Sequence, residues 1–219
     1  MEQRRKIEYL CILDFEATCC QGRQPKPQEI IEFPTILLNV ETGQVEDEFH
    51  CYIRPDVHPT LSDFCTELTG ITQRRIDAKG IALREALVLH QQWLTKHNLV
   101  AWHQCTPDVS ETTNNAKTFL YVTCGDWDLQ FCLPRQLKYH GMKPANPFHS
   151  WINIKKPFKE MYHAKNRGMK GMLDHMGLEL LGRHHSGIDD CRNIVRICQR
   201  MMEEGWIPTG PTASLDSMP

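Results

Sequence analysis

The stretch YLCILDFEAT, residues 9–18, decides how the chain is read. An unbroken apolar run from Tyr9 to Leu13 gives way to Asp14 and Glu16. A short run of this kind is what a strand covered on both faces looks like. Side chains two apart on a strand share a face, so the two carboxylates stand side by side and repel each other. Something positive is needed between them, which makes this strand end a candidate cation site.

Working outward, residues 8–15 read as a strand and 29–40 (EIIEFPTILLNV) as a second, in which Pro34 suggests a bulge or an edge position. After a turn at 41–43, residues 44–54 (QVEDEFHCYIR) read as a third strand, hairpin-linked to the second, so the first three suggest an antiparallel meander. The period then changes. Residues 62–68 fit a short helix, and Leu83, Leu87, Val88, Trp93 and Leu94 recur at helical spacing across 81–97. Residues 102–117 are polar and aperiodic and read as a surface loop. A fourth strand, 118–123 (TFLYVT), feeds a helical stripe of Leu129, Cys132, Leu133 and Leu137, with Pro134 as a candidate kink. A short strand or turn near 151–154 precedes helical stretches near 156–164 and 169–178. A clearer helix spans 189–204, with Ile194, Val195, Ile197, Cys198 and Met201 as its apolar face. These elements make one α/β domain over 8–206, preceded by an extension at 1–7 and followed by a flexible Pro-, Ser- and Thr-rich tail at 207–219.

Composition agrees with a single core. The 219 residues are 41% hydrophobic and 24% charged, as in ordinary soluble domains, and no apolar run approaches the ~20 residues of a membrane-spanning helix. Glu8 and Asp14 interrupt the N-terminal apolar stretch too early for a secretory signal, so a cytoplasmic or nuclear location is expected. Ten cysteines do not demand a disulfide framework here, since Cys11, Cys132 and Cys198 fall at core-type positions and are expected as thiols. Neither Cys19 with Cys20 nor His184 with His185 has the spacing of a structural zinc site. A net charge of -2 exerts no global pull on nucleic acid, so any such binding must come from local basic patches and metal ions.

Further candidates stand at comparable junctions. Asp128 opens the helix after the fourth strand, and His185 and Asp190 flank the start of the last helix in HHSGIDDC. Ligand sites in open α/β sheets gather at strand ends, where three distant segments can converge. Acids in a first helical turn also favour the helix dipole, which by itself accounts for Asp126, Asp128, Asp189 and Asp190 one at a time. On spacing alone His184 serves as well as His185.

Taken together, D-x-E near the start, a mid-chain Asp at a strand-to-helix junction and a late H-x4-D resemble the DEDDh family of 3′ to 5′ exonucleases. The stretches LDFEATC, QEIIEFP, SDFCTELTGIT, GDWDL, WINIKK and GRHHSGIDDCRNI are similar to the Eri-type exoribonucleases, the group that contains the histone-mRNA 3′ exonuclease. TELTGI, VTCGDWDL and HSGIDDC look nearest to the branch named for its prion-protein-interacting member. The resemblance implies an RNase H-like fold, a mixed sheet of antiparallel meander plus parallel strands flanked by helices.

It also implies a reaction: metal-dependent, 3′ to 5′ hydrolysis of RNA ends, single-stranded or overhanging, to nucleoside 5′-monophosphates. Asp14, Glu16 and Asp190 would hold one Mg²⁺ or Mn²⁺, Asp14 would bridge to a second that Asp128 approaches through water, and His185 would be the general base. Leu68 and Phe64 would supply an apolar wedge, Trp127 would lie close to the terminal nucleotide, and backbone at Ala17 near the terminal sugar. Lys155, with Lys156, Lys165, Arg167 and Lys170, would track phosphates. Asp189, about 100° around the helix from Asp190, serves as a structural control. The same residues leave two alternatives, an exonuclease acting mainly on DNA or short oligonucleotides, and a non-catalytic RNA- or protein-binding module of this fold.

Overall fold

The computed structural model describes residues 6–104, 116–143, 146–165 and 168–217. Its centre is β1, Tyr9–Leu13, buried along its whole length. Tyr9, Cys11 and Leu13 enter one hydrophobic cluster and Leu10 and Ile12 another, on the opposite face. Both faces are covered, which is why the run carries no polar alternation. On one side β1 pairs antiparallel with β3, Ile30–Asn39, and on the other it pairs parallel with β7, Lys117–Thr123.

The remaining strands build outward from this pair. β3 pairs antiparallel with β4, Val45–Ile53, and β4 pairs parallel with the two-residue β5, Gly80–Ile81. β7 pairs parallel with β6, Leu99–Ala101, and with β8, Ser150–Asn153, which in turn pairs antiparallel with β9, Ala213–Ser214. A short β2, Glu16–Ala17, returns to β3. Among the described residues the result is a mixed sheet of nine strands, meander on one side and parallel strands on the other, as expected.

Among the described residues, seven α-helices flank it: α1 Asp63–Thr69, α2 Gln73–Lys79, α3 Leu83–Lys96, α4 Leu133–Tyr139, α5 Lys155–Tyr162, α6 Met169–His175 and α7 Gly187–Glu203. Ser62 caps α1 by accepting from the Cys65 N–H, and Gly70 ends it in the left-handed region at φ 75°. α7 lays Ile194, Ile197, Cys198 and Met201 on the cluster that holds Leu10 and Ile12. Each such side chain contributes about 1.5–3 kcal/mol relative to exposure.

Several expectations change. Asp14 and Glu16 do not share a continuous strand: pairing lapses after Leu13, and β2 resumes at Glu16 with a bulge before Ala17. Pro34 lies inside β3 rather than at an edge. Its neighbour Thr35 is the last residue paired with β1 and Glu32 the first paired with β2, so Pro34 stands at the break where no donor is required. The stripe expected from 129 to 137 divides into a π-type turn, Asp128–Cys132, and α4, with Pro134 in the first turn of α4. α2, β5 and β6 were not expected. Of the presumed loop at 102–117, residues 105–115 lie outside the described residues, as does Arg167. Cys11, Cys132 and Cys198 are buried free thiols. Within the stretch expected to form a tail, residues 213–214 pair with β8.

Candidate metal and nucleic-acid site

The break after Leu13 aims acids toward the face covered by α7. One carboxylate oxygen from each of Asp14, Glu16 and Asp190 lies within 4.8 Å of the others. Glu16 and Asp190 are buried and Asp14 is half-buried. Asp128, 5% exposed at the head of the π-type turn, accepts from the Phe15 N–H at 2.9 Å, which ties the end of β1 to the segment after β7. The sheet thus brings together all four acids singled out in the sequence.

Crowding and burial show in their acidities. Burial pushes the Asp14 carboxyl well up, reinforced by Asp128, Glu16, Asp190 and Glu32. Glu16 is raised to about 9 by burial and then by Glu32, Asp190 and Asp128. Asp128 rises to about 6 through burial, restrained by the Phe15 N–H and by Lys155. Asp190 rises by burial against the opposing pull of His184. A cluster that resists ionisation this strongly calls for a counter-cation. All donors are hard carboxylate oxygens, which suit Mg²⁺ or Mn²⁺ rather than zinc or copper. Asp14, Glu16 and Asp190, with Asp128 beside them, therefore fit a divalent cation.

Both histidines border the same carboxylate. The His184 Nδ1 lies 3.2 Å from Asp190 Oδ2, and the His185 backbone N–H donates to that oxygen at 3.0 Å. Their rings stack with centroids 4.0 Å apart. His185 adopts φ 66°, a left-handed conformation uncommon for a side-chain-bearing residue. Burial, then the neighbouring His184, lowers its pKa below the ordinary histidine value. Asp189 is occupied elsewhere: it accepts from the Arg183 N–H at 2.9 Å and pairs with Arg192 at 3.3 Å.

The residues expected to contact RNA differ in exposure. Ala17 is buried in β2, and its carbonyl accepts from the Cys65 thiol at 3.8 Å, so α1 is anchored beside the acidic strand. On that helix Phe64 and Leu68 stand one turn apart, half-buried. Trp127 is 37% exposed and lines a cleft of about 400 Å³ with Gln24, Gln28 and Arg135. Lys155, at the start of α5, is close enough to hold down the pKa values of Asp128 and Cys124.

Two residues escaped the sequence reading. Glu32, a single acid inside the apolar stretch IIEFP, is 1% exposed and accepts from the Gly187 N–H at 2.9 Å. Arg183, next to His184, donates through its guanidinium to the Glu67 carbonyl and so joins the histidine loop to α1. A lone acid in an apolar run does not mark the first, since it fits a solvent-facing position equally well. Nothing local marks the second.

Residues 11–198 match the family described as exonuclease, RNase T type. The chain is 41% identical to ERI1 exoribonuclease 2 of Xenopus laevis over 98% of its length and 31% of that protein's. It is 41% identical to human ERI1 exoribonuclease 3 over 93% of its length and 56% of that protein's. It therefore spans between about a third and about half of these relatives. Its fold superposes, with a TM-score of 0.79 and 34% identity, on the crystallographic structure of the nuclease domain of 3'hExo, a DEDDh family member bound to rAMP. That match covers 93% of this chain and 98% of the nuclease domain.

Proposed function

Since the chain belongs to the RNase T exonuclease family, in its DEDDh and ERI1-like branch, we propose that it is a metal-dependent 3′ to 5′ exoribonuclease. It removes nucleoside 5′-monophosphates from single-stranded or overhanging RNA 3′ ends. The observation that carries this reading is the convergence of Asp14, Glu16 and Asp190 oxygens within 4.8 Å, from the two ends of the chain. The rAMP bound by the related nuclease domain supports a ribonucleotide product.

Asp14, Glu16, Asp190 and Asp128 would hold two Mg²⁺ or Mn²⁺ ions, which would supply Lewis-acid stabilisation of charge at the phosphate and a more acidic water. His185 is the general base. With its pKa lowered, it is neutral near pH 7 and takes a proton from the attacking water at a ring nitrogen. Water oxygen joins phosphorus as the bond to the departing 3′ oxygen breaks. Asp190 fixes the His185 backbone through its N–H, and His184 is held on the same carboxylate. Phe64 and Leu68 wedge against the terminal base, Trp127 lies near the terminal nucleotide, and the Ala17 backbone lies near its sugar. Stacking of this kind accepts any base. Lys155, with Lys156, Lys165 and Lys170, follows the phosphates upstream. An RNA substrate places the protein in the cytoplasm or nucleus.

The test is incubation of purified protein with RNA labelled at either end and DNA of equal sequence, with Mg²⁺, Mn²⁺ or chelator, beside Asp14→Ala and His185→Ala. The expected result is stepwise shortening of 5′-labelled RNA and release of the 3′ label as mononucleotide, only with metal and only by the unsubstituted protein. Cleavage with chelator present, internal cuts, or a preference for DNA overturns the reading.

A further inference from the structure

The four acids rest on a fifth carboxylate. Glu32 sits within β3, opposite Glu16 in register and opposite Tyr52 on β4. Its Oε2 accepts from the Gly187 N–H at 2.9 Å, and Oε1 from the Ile188 N–H at 3.4 Å. Oε1 also lies 2.8 Å from the Nε2 of His50, which is 28% exposed and stands edge-on to Tyr52. Gly187 and Ile188 open α7, so the buried Glu32 carboxyl group accepts from N–H groups that the helix itself leaves unpaired.

The approach is as close as the backbone allows. A Cβ at Gly187 would lie 2.6 Å from the Asp14 carbonyl oxygen, 3.1 Å from Pro34 and 3.2 Å from Glu32 Oε2. The first turn of α7 is therefore wedged between the end of β1 and Glu32. From that turn Asp190 projects into the acidic site, and its carboxylate holds the His185 N–H. Every oxygen of Glu32 is engaged with α7 or His50, so it does not compete with Asp14, Glu16 and Asp190 as a ligand.

We propose that Glu32 is a positioning residue: by clasping the Gly187 and Ile188 N–H groups it sets the start of α7, and thereby holds Asp190 and His185 against Asp14 and Glu16. The proposal rests on the exoribonuclease reading for its effect on turnover, whereas the clasp itself is measurable without turnover.

The experiment compares the full chain with Glu32→Ala and Glu32→Gln. Two quantities are read at a temperature where circular dichroism shows all three folded. They are hydrogen exchange at the Gly187 and Ile188 amides of the metal-free protein, and kcat and KM on single-stranded RNA with saturating Mn²⁺. Glu32→Ala is expected to speed exchange at both amides about tenfold or more, and to lower kcat about thirtyfold with KM within about threefold. Glu32→Gln keeps an acceptor for α7 and offers an amide to His50, so both quantities stay within about threefold of the parent. Glu32→Ala with parental exchange and kcat overturns the proposal. So does Glu32→Gln as impaired as Glu32→Ala, which assigns the effect to charge. A parent protein that degrades no RNA counts against the proposed function, and the exchange rates then still decide whether the clasp exists.

Discussion

The backbone N–H of Phe15 donates to Oδ1 of Asp128 at 2.9 Å, between residues 113 apart in sequence. The bond places a buried carboxylate beside the end of β1 and satisfies the backbone where pairing with β3 lapses. Structure and charge are separable here. Asp128→Asn keeps an oxygen for Phe15 and removes the charge, so we expect an unchanged or raised melting temperature and an exonuclease rate reduced about 100-fold or more. Asp128→Ala leaves the Phe15 N–H unpaired and loses a further ~1–3 kcal/mol of stability. Thermal melts and rates for the two variants check both statements.

The acids make metal-free stability depend on pH in an unusual direction. Glu16 is raised from 4.5 to about 9 on folding, so the folded state binds more protons than the unfolded state between those values. Its contribution is most favourable below pH ~4.5 and declines as pH rises toward 9. Metal-free Glu16→Gln should therefore melt higher than the parent, with the gap widening from pH 5 to pH 9. At pH 8 a gap of about 2–4 °C corresponds to ~1 kcal/mol in a chain of this size. Mn²⁺ should narrow the gap, because only the parent's carboxylate gains from the ion. A gap independent of pH contradicts the account.

For His185 the sign is opposite. Its pKa is lowered, first by burial and then by His184, so the neutral form that accepts a proton persists below the ordinary histidine range. The rate should fall only as pH drops through that lowered value. Removing one cause by His184→Ala moves the acid limb to higher pH, whereas His185→Ala lowers kcat about 10²–10⁴-fold and removes the limb. A pH–rate profile of the three proteins tests this. An acid limb unmoved in His184→Ala argues against His185 as the base.

How far the sequence led differs by element. β1 was legible because both its faces are buried, leaving an uninterrupted apolar run. α7 was legible because seventeen residues carry a sustained stripe. β5 and β6, two and three residues long, carry too little pattern to distinguish from turns. The π-type turn at Asp128–Cys132 keeps its apolar residues near helical spacing, so it merged with α4 in the sequence. The acids were visible as motifs. Glu32 was not, because a lone carboxylate in a strand looks like one solvent-facing position until α7, 155 residues later, folds over it.

Phe64 and Leu68 separate binding from folding. Both are half-buried on α1, while Cys65 and Thr69 supply its fully buried face. Alanine at either is expected to raise KM for RNA about tenfold, consistent with ~1–3 kcal/mol per stacked base. Stability should change by less than ~1 kcal/mol. Steady-state kinetics with melts distinguish this from core packing, which would show as lost stability at constant KM.

Calorimetric titration of Mn²⁺ into metal-free protein reaches the centre of the account, since it asks whether Asp14, Glu16, Asp128 and Asp190 form a cation site at all. Raised pKa values mean that binding must displace protons, so the apparent heat should vary with the ionisation enthalpy of the buffer. The account predicts saturable Mn²⁺ binding with proton release, weakened about tenfold or more by Asp14→Asn and Asp190→Asn and nearly unaffected by Asp189→Asn. No saturable binding, or equal binding by all three variants, would contradict it.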